Sequence, residues 1–182
     1  EPFNPVSLAL RAEASFVART HDMDRKHMQE MFRRAYHHDG ASLVEVYQNC
    51  NVFNDGAFAT ITKKDSRDDM LIDLRHGERI QFGSEGQFGV VRQDGGVEIV
   101  NVADVGLDAL LVHDETRQDP STAFALSRLA FGPTTPTPVG VFRATERAEY
   151  GAAMATQVAD VAAESGKGDL ASLLRSQPTW EV

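Results

Sequence analysis

At 182 residues, with 42% hydrophobic and 25% charged residues, the chain has the length and composition of one ordinary globular domain with a real core. A formal net charge of −9 argues against a nucleic-acid footprint, which needs clustered Lys and Arg. No apolar run approaches the roughly 18 residues of a membrane span, and no basic segment followed by an apolar stretch marks a signal peptide. The expected compartment is therefore cytoplasmic, with neither membrane nor nucleic acid as a partner.

Glu1 rather than Met opens the chain, and the abrupt start EPFNPVSLAL leads us to expect a piece of a longer polypeptide. Asn4-Pro5 predicts a helix start, with Asn as N-cap and Pro at the first helical position. Phe16, Val17 and Ala18 form a short apolar run that suits a buried strand, Phe16 to Arg19. Near Asp22 the clearest helix begins. Met28, Met31, Phe32, Ala35 and Tyr36 fall at helical spacing on one expected inner face. Asp22 and Asp24 near its start, and Arg33, Arg34, His37 and His38 near its end, complement the helix dipole. Gly40 is placed to terminate it.

Ala41 to Tyr47 is rich in β-branched and aromatic residues, and a strand is expected there, centred on Leu43 to Tyr47. Strand, helix, strand in this order predicts a parallel pair joined by a crossover. The following loop, QNCNVFNDG, then lies at a strand's carboxyl end, where open α/β sheets gather ligands. Residues 61–70 are charged and expected to be solvated. Short apolar segments broken by glycines between Leu71 and Val102 predict a small antiparallel appendage, with a hairpin turn at Asp94-Gly95-Gly96. Ala109 to His113 is read as a strand and Pro120 to Ala130 as an amphipathic helix. Residues 132–138 (GPTTPTP) are read as a Pro-rich connection. Residues 149–175 are Ala-rich and expected to be helical, with an interruption near Gly166 and Gly168.

Few residues offer chemistry. Of the six histidines, His37 and His38 are adjacent and point about 100° apart on a helix, so they cannot share a metal and are read as solvated helix-end residues. His76 is read as a turn residue, His113 beside Asp114 as a structural polar contact, and His21 and His27 have no evident partner. GSEGQFG, residues 83–89, has neither the dinucleotide nor the Walker spacing, so hairpin turns explain its glycines better. No G-x-S-x-G elbow or H-E-x-x-H zinc motif is present, and nothing recommends Cys50 with a distant His as a nucleophilic dyad. Cys50 is the single cysteine, which excludes an internal disulfide. It sits in a polar loop between Asn49 and Asn51 instead of in a strand core. A buried thiol, a reactive thiol and a metal ligand remain open for it. An iron–sulfur cluster needs four protein ligands, so three others would have to come from elsewhere.

NPVSLALRAEASFVART, ASLVEVYQNCNVFNDGAF, HDETRQDPSTAFALSRL and PVGVFR, in this order over essentially the whole chain, resemble the β subunit of 2-oxoacid:ferredoxin oxidoreductases, above all the bacterial 2-oxoglutarate form. The lone cysteine in QNCNVFNDG is the most specific part. The resemblance implies a subunit that binds thiamine diphosphate, Mg²⁺ and one 4Fe-4S cluster. Three cluster cysteines lie in its N-terminal half, and the fourth is at the position of Cys50. The family's G-D-G…N motif for the diphosphate and Mg²⁺ also lies in that half. Here Asp55-Gly56 follows Asn54 with no suitably spaced Asn, and the other three cysteines are missing. The chain is accordingly read as the C-terminal half of such a subunit, in preference to a degenerate relative that has lost its cofactors.

The fold class that follows is α/β: the C-terminal part of a thiamine-diphosphate-binding fold with parallel strands, a small antiparallel appendage and C-terminal helices. Residues 1–60 are expected to complete the cofactor-binding domain and carry the cluster ligand, with 61–182 forming the C-terminal region. The implied reaction is oxidative decarboxylation of a 2-oxoacid with CoA as co-substrate, giving acyl-CoA and CO₂. Electrons pass through the cluster to ferredoxin. Implied partners are the N-terminal half of the same subunit, an α subunit and ferredoxin. Cys50 is the one site residue assigned, as cofactor-binding cluster ligand, and no catalytic residue is assigned. Asn49, Asn51 and Asn54 are read equally as hydrogen-bond donors to a cluster or as turn formers. The alternatives are a pyruvate or branched-chain 2-oxoacid enzyme and a non-catalytic α/β interaction domain.

Overall fold

The computed structural model describes residues 3–129 and 135–176, which fall into two units separated between Arg147 and Ala148. In the first unit, α1 (Pro5–Arg11) starts as expected: the Asn4 side chain accepts the Ser7 N–H, and Pro5 takes the first turn. β1 (Phe16–His21) follows, with all six residues buried. After α2 (Arg25–Tyr36) the chain enters β2 (Ser42–Tyr47), which pairs in parallel with β1 from Phe16↔Ser42 to His21↔Tyr47. The predicted strand–helix–strand unit is present.

The sheet that contains this pair is mixed. Its order is β2-β1-β7-β3, with β3 at Leu71–Leu74 and β7 at Thr137–Ala144. β7 runs antiparallel to β1 and parallel to β3. Two expectations are corrected here. Leu71–Leu74 belongs to this main sheet, not to the appendage. The last residues of the supposed Pro-rich connection begin a buried strand, while residues 130–134 lie outside the described ones. Pro138 is tolerated because it pairs only with Ile72 of β3, while pairing with β1 begins at Gly140. A strand's first residues are where Pro costs least. At Gly140 (φ 107°) a Cβ would stand 2.6 Å from the Leu74 carbonyl oxygen, so only glycine lets β7 approach β3 there.

Two helices, α3 (Ala59–Thr62) and α4 (Lys64–Met70), occupy the charged stretch, where Lys63, Lys64, Asp65, Arg67 and Asp68 are exposed as expected and Ile61 is buried. The appendage is a three-stranded antiparallel sheet of β4 (Gln81–Phe82), β5 (Phe88–Gln93) and β6 (Gly96–Asn101). Asp94 (φ 41°) and Gly95 (φ 79°) make its two-residue turn in the left-handed conformations that match hairpin twist. Gly83 and Gly86 form the β4–β5 connection and Gly89 lies in β5, in keeping with the hairpin reading. After α5 (Val102–Val105) comes a 3-10 turn at Leu107–Ala109, and no strand at Ala109–His113. That segment divides its hydrogen bonds: the Leu111 N–H goes to Val90, the His113 N–H goes to Glu78, and Leu111 accepts from Ile80, so no continuous ladder forms. α6 spans Ser121–Ser127, shorter than the expected helix, whose final residue is outside the described ones.

Alternation along β1 and β7 divides the core between the two faces of the sheet. Val17 and Phe142 join Val6 and Leu10 of α1, Ile72 and Leu74, the appendage residues Ile80, Phe82 and Val90, and Ala123 and Leu126 of α6. Phe16, Ala18 and Val141 face the other way, onto Met31 of α2. The face predicted for α2 is also corrected. Met31 is 5% exposed, but Phe32 is 49% and Tyr36 84% exposed. The inner positions are Met31, Arg34 and Ala35, continued past the helix by His38. Arg34 clamps Glu115 with two bonds of 2.6 and 3.2 Å, and His38 Nε2 lies 2.9 Å from Ser15 Oγ. His38 is therefore not a solvated helix-end residue, whereas His37 is exposed. Asp24, not Asp22, caps α2, and its C-cap is His37, not Gly40.

In the second unit, α7 (Tyr150–Ser165) is capped by the Glu149 carboxylate on the Gly151 and Ala152 N–H groups and ends at Gly166. α8 (Leu170–Leu174) starts at the Asp169 cap. The predicted interruption lies between them. Among the described residues no helix is long and apolar enough to cross a membrane.

Two outcomes test this packing. Met31→Ala should lose about 2–5 kcal/mol in urea melts, while Phe32→Ala stays within about 0.5 kcal/mol; equal losses would restore the face read from periodicity. The second concerns His113, buried with its Nε2–H donating to the Val141 carbonyl at 2.7 Å. Burial holds its pKa below the ordinary 6.5, although the Val141 bond opposes the shift. Above that pH, His113 is neutral folded and unfolded. Below it the unfolded chain takes up a proton that the folded one refuses, so stability falls with pH until the folded pKa is reached. The slope is at most about 1.4 kcal/mol per pH unit. Urea melts between pH 7 and 5 should show that slope reduced in His113→Gln.

Candidate ligand loop at the end of the parallel pair

β1 and β2 end together, and the loop after Tyr47 is built on that edge. The Asp22 N–H donates to the Tyr47 carbonyl at 3.0 Å, carrying the pairing one residue beyond the strands. Tyr47 stacks on Phe58 with ring centroids 4.4 Å apart and lies 5.1 Å from the Arg19 guanidinium. Burial raises its phenol pKa, so the ring sits at the base of the loop as a neutral, packed side chain.

From there polar bonds fold the loop on itself. The Asp22 carboxylate accepts the Asn49 N–H at 3.3 Å. The Asn49 carboxamide reaches across the loop, donating through Nδ2 to Asp55 at 2.9 Å and accepting the Gly56 N–H at 2.9 Å. Between these closures the Cys50 carbonyl accepts the Asn54 N–H at 2.8 Å. The turn presents Cys50 as a free, partly exposed thiol. Its pKa is lowered chiefly by the backbone N–H of Phe53, then Val52 and Asn54, whose bonds favour the charged form. Flanking it, Val52 is 76% and Phe53 91% exposed. Cys50 is thus not a packed core cysteine. A thiolate is the form that binds metal, and amide donors to sulfur tune a bound cluster. Among the described residues no group of three or more His, Cys, Asp or Glu is placed to hold a metal ion. Any metal at Cys50 takes its other donors from outside them.

Most of the other candidates are structural. His113 serves β7 instead of Asp114, whose nearest imidazole is His76 at 3.7 Å. His76 sits in a turn, as read from sequence. His27 Nδ1 pairs with Thr20 Oγ1 at 2.8 Å. His21, the last residue of β1, is buried, its Nδ1 has no hydrogen-bond partner among the described residues, and burial lowers its pKa. Sequence reasoning passed over Asp22 as a loop anchor. The Asn-rich, Asp-Gly-terminated composition was the available signal, since such residues bond their own backbone. Asn49 uses its side chain inside the loop; Asn54 contributes its backbone N–H.

No family model matches the chain. Among known proteins, it is 46% identical over 183 residues to the 2-oxoglutarate oxidoreductase subunit KorB of Mycobacterium tuberculosis, a match covering 100% of this chain and 49% of that protein. A 52-residue stretch is 38% identical to the 2-oxoacid:ferredoxin oxidoreductase subunit beta of Saccharolobus solfataricus, covering 29% of this chain and 17% of that one. In fold it is similar to the 2-oxoglutarate:ferredoxin oxidoreductase of Magnetococcus marinus, solved with 2-oxoglutarate, coenzyme A and succinyl-CoA bound. There the TM-score is 0.59 at 18% identity, covering 98% of this chain and 46% of that one. The chain thus spans about half the length of the curated relative that it matches from end to end. Along its whole length it corresponds to the C-terminal half of a 2-oxoacid:ferredoxin oxidoreductase β subunit.

Proposed function

We propose that the chain is part of an enzyme that oxidatively decarboxylates 2-oxoglutarate with CoA, giving the acyl-CoA and CO₂, and that Cys50 is one ligand of the 4Fe-4S cluster through which electrons leave for ferredoxin. The observation that carries the role of Cys50 is its place, a free and partly exposed thiol in the polar loop at the carboxyl end of the parallel pair. The 46% identity to a 2-oxoglutarate oxidoreductase subunit supports the substrate. The solved relative with coenzyme A bound supports the acyl acceptor.

The loop fits such a group on chemical grounds. Its sulfur is accessible, its amides favour negative charge, and it stands at the carboxyl end of a parallel pair. Thiamine diphosphate with Mg²⁺, when bound in the enzyme, supplies the electron sink for decarboxylation. No residue of this chain is assigned to it. The chain's own task is electron transfer: Cys50 would hold one iron as a thiolate, the form that binds metal. The other three ligands and the diphosphate site belong to the N-terminal half of the subunit, and the α subunit completes the assembly. The segment up to residue 60 is the part that carries the ligand.

Two measurements test this reading. The 182 residues alone should give no 2-oxoglutarate- and CoA-dependent reduction of an electron acceptor; measurable turnover would refute the division of labour. In the complete subunit, Cys50→Ala should leave a three-iron or absent cluster and lower ferredoxin reduction about tenfold or more, the scale of losses when metal-site partners are removed. An unchanged electron-resonance signal in that variant would remove Cys50 from the ligand set.

A further inference from the structure

The two edges of the main sheet are built differently. β3, at one edge, has four residues and carries the exposed Asp73. A short, charged strand of this kind resists further pairing. β2, at the other, has six residues in unbroken parallel register with β1 and contains no Lys, Pro or Gly. Its one charge, Glu45, is held by Arg19. Both faces of β2 are covered: Leu43 packs into the core on the α1 side, and Val44 into the core on the α2 side. Only its outer edge is open. The Phe16 N–H donates to the Ala41 carbonyl and the Asp22 N–H to that of Tyr47, which fixes the phase of the ladder. Leu43, Glu45 and Tyr47 turn their backbone groups to β1, so Ser42, Val44 and Val46 turn theirs outward. Among the described residues nothing pairs with that edge. A parallel strand that is apolar and covered on both faces belongs inside a sheet.

Chain direction identifies the occupant. α2 leads from β1 to β2 and lies on one face of the sheet, against Phe16 and Ala18. α1 leads into β1 and lies on the opposite face, against Val17 and also over β2. Right-handed crossovers that run in opposite directions along a sheet use opposite faces. A parallel strand joined through α1 to β1 therefore comes from beyond β2, and the other side of β1 is already taken by β7. We infer that β2 is an interior strand of the complete subunit, and that its open edge takes a parallel strand of the upstream half, the one that leads into α1. This rests on the reading of the chain as one half of a longer subunit, since it covers 49% of its 46%-identical relative. Neighbouring strands stand about 4.8 Å apart, so the loop leaving that strand emerges beside the Cys50 loop. The edge thus brings the upstream half to the side of the sheet where its ligands are needed.

The test uses the complete subunit in its assembled enzyme. Residue-resolved hydrogen exchange should find the Val44 and Val46 amides as slow as those of Leu43 and Glu45. An open edge would leave them about tenfold or more faster, the equivalent of roughly one absent hydrogen bond. Benzoylphenylalanine in place of Ser42, exposed at the start of the strand, should on irradiation give a product within one chain that maps upstream of Glu1. Fast exchange at Val44 and Val46 would overturn the interior placement. A product joining two chains, whether to the α subunit or to a second copy, would give the edge to another occupant and overturn the proposal. The exchange readout needs no substitution, so it decides the interior placement even if the Ser42 variant fails to assemble. Failure of the ligand reading is separable, because it appears as an intact cluster in Cys50→Ala and leaves both edge readouts unmoved.

Discussion

A guanidinium buried to 1% exposure ties the centre of the sheet together. Arg19 projects from β1, donates through Nε to Glu45 of β2 at 2.6 Å, and through Nη1 to the Pro138 carbonyl of β7 at 3.2 Å. A charge taken this far out of water is tolerated only when paired and hydrogen-bonded, and removing one partner of such a pair typically costs about 3–5 kcal/mol. The consequence is geometric. The Arg19–Glu45 bond favours the in-register pairing of β1 and β2, and a one-residue slip would turn Glu45 to the opposite face. Arg19 also lies 5.1 Å from the Tyr47 ring and 5.2 Å from that of Phe142. The residue that fixes the register thus also packs beside the ring from which the Cys50 loop departs.

Register decides where that loop begins. With His21 opposite Tyr47, Asp22 is the first residue beyond the pair on one side and the loop begins on the other. Asp22 can then accept the Asn49 N–H and donate its own N–H to Tyr47. A shift of one residue along β2 would move both partners by about 3.3 Å, beyond hydrogen-bonding reach. The loop's polar closure is therefore downstream of a buried ion pair in the sheet, and the thiol's environment is downstream of that closure.

Local chemistry was the most legible part of the sequence. Asn4-Pro5 and Asp94-Gly95 each encode one conformation with little help from distant residues, and both appear as read. The parallel pair was legible because two apolar runs flank one clear helical period. Reading failed where distant contacts decide. Phe32 and Tyr36 share a helical spacing with Met28, but the inward position of Arg34 is selected by Glu115, 81 residues away. β7 was concealed by Pro138, which read as part of a connection, and the glycine at position 140 is required because β3 approaches so closely there. Ala109–His113 has strand-like composition, yet its partners are split between two segments of the appendage.

Cys50 was conspicuous as a single cysteine among asparagines, but the mechanism that holds it was not. The asparagines read equally as cluster donors and as turn formers, and Asn49 takes the second part. This role has a physical logic. A side-chain donor on a solvated loop must give up rotamer freedom to stay on the sulfur, whereas a backbone amide is fixed once the turn is closed. Closure through the carboxamide thus fixes the loop backbone with one immobilised side chain. It also leaves Val52 and Phe53 outward without cost to the loop's own stability, since no internal packing depends on them. The thiol and its apolar neighbours are in this way presented on a surface already shaped before any ligand arrives, and preorganisation of that kind lowers the ordering cost of binding.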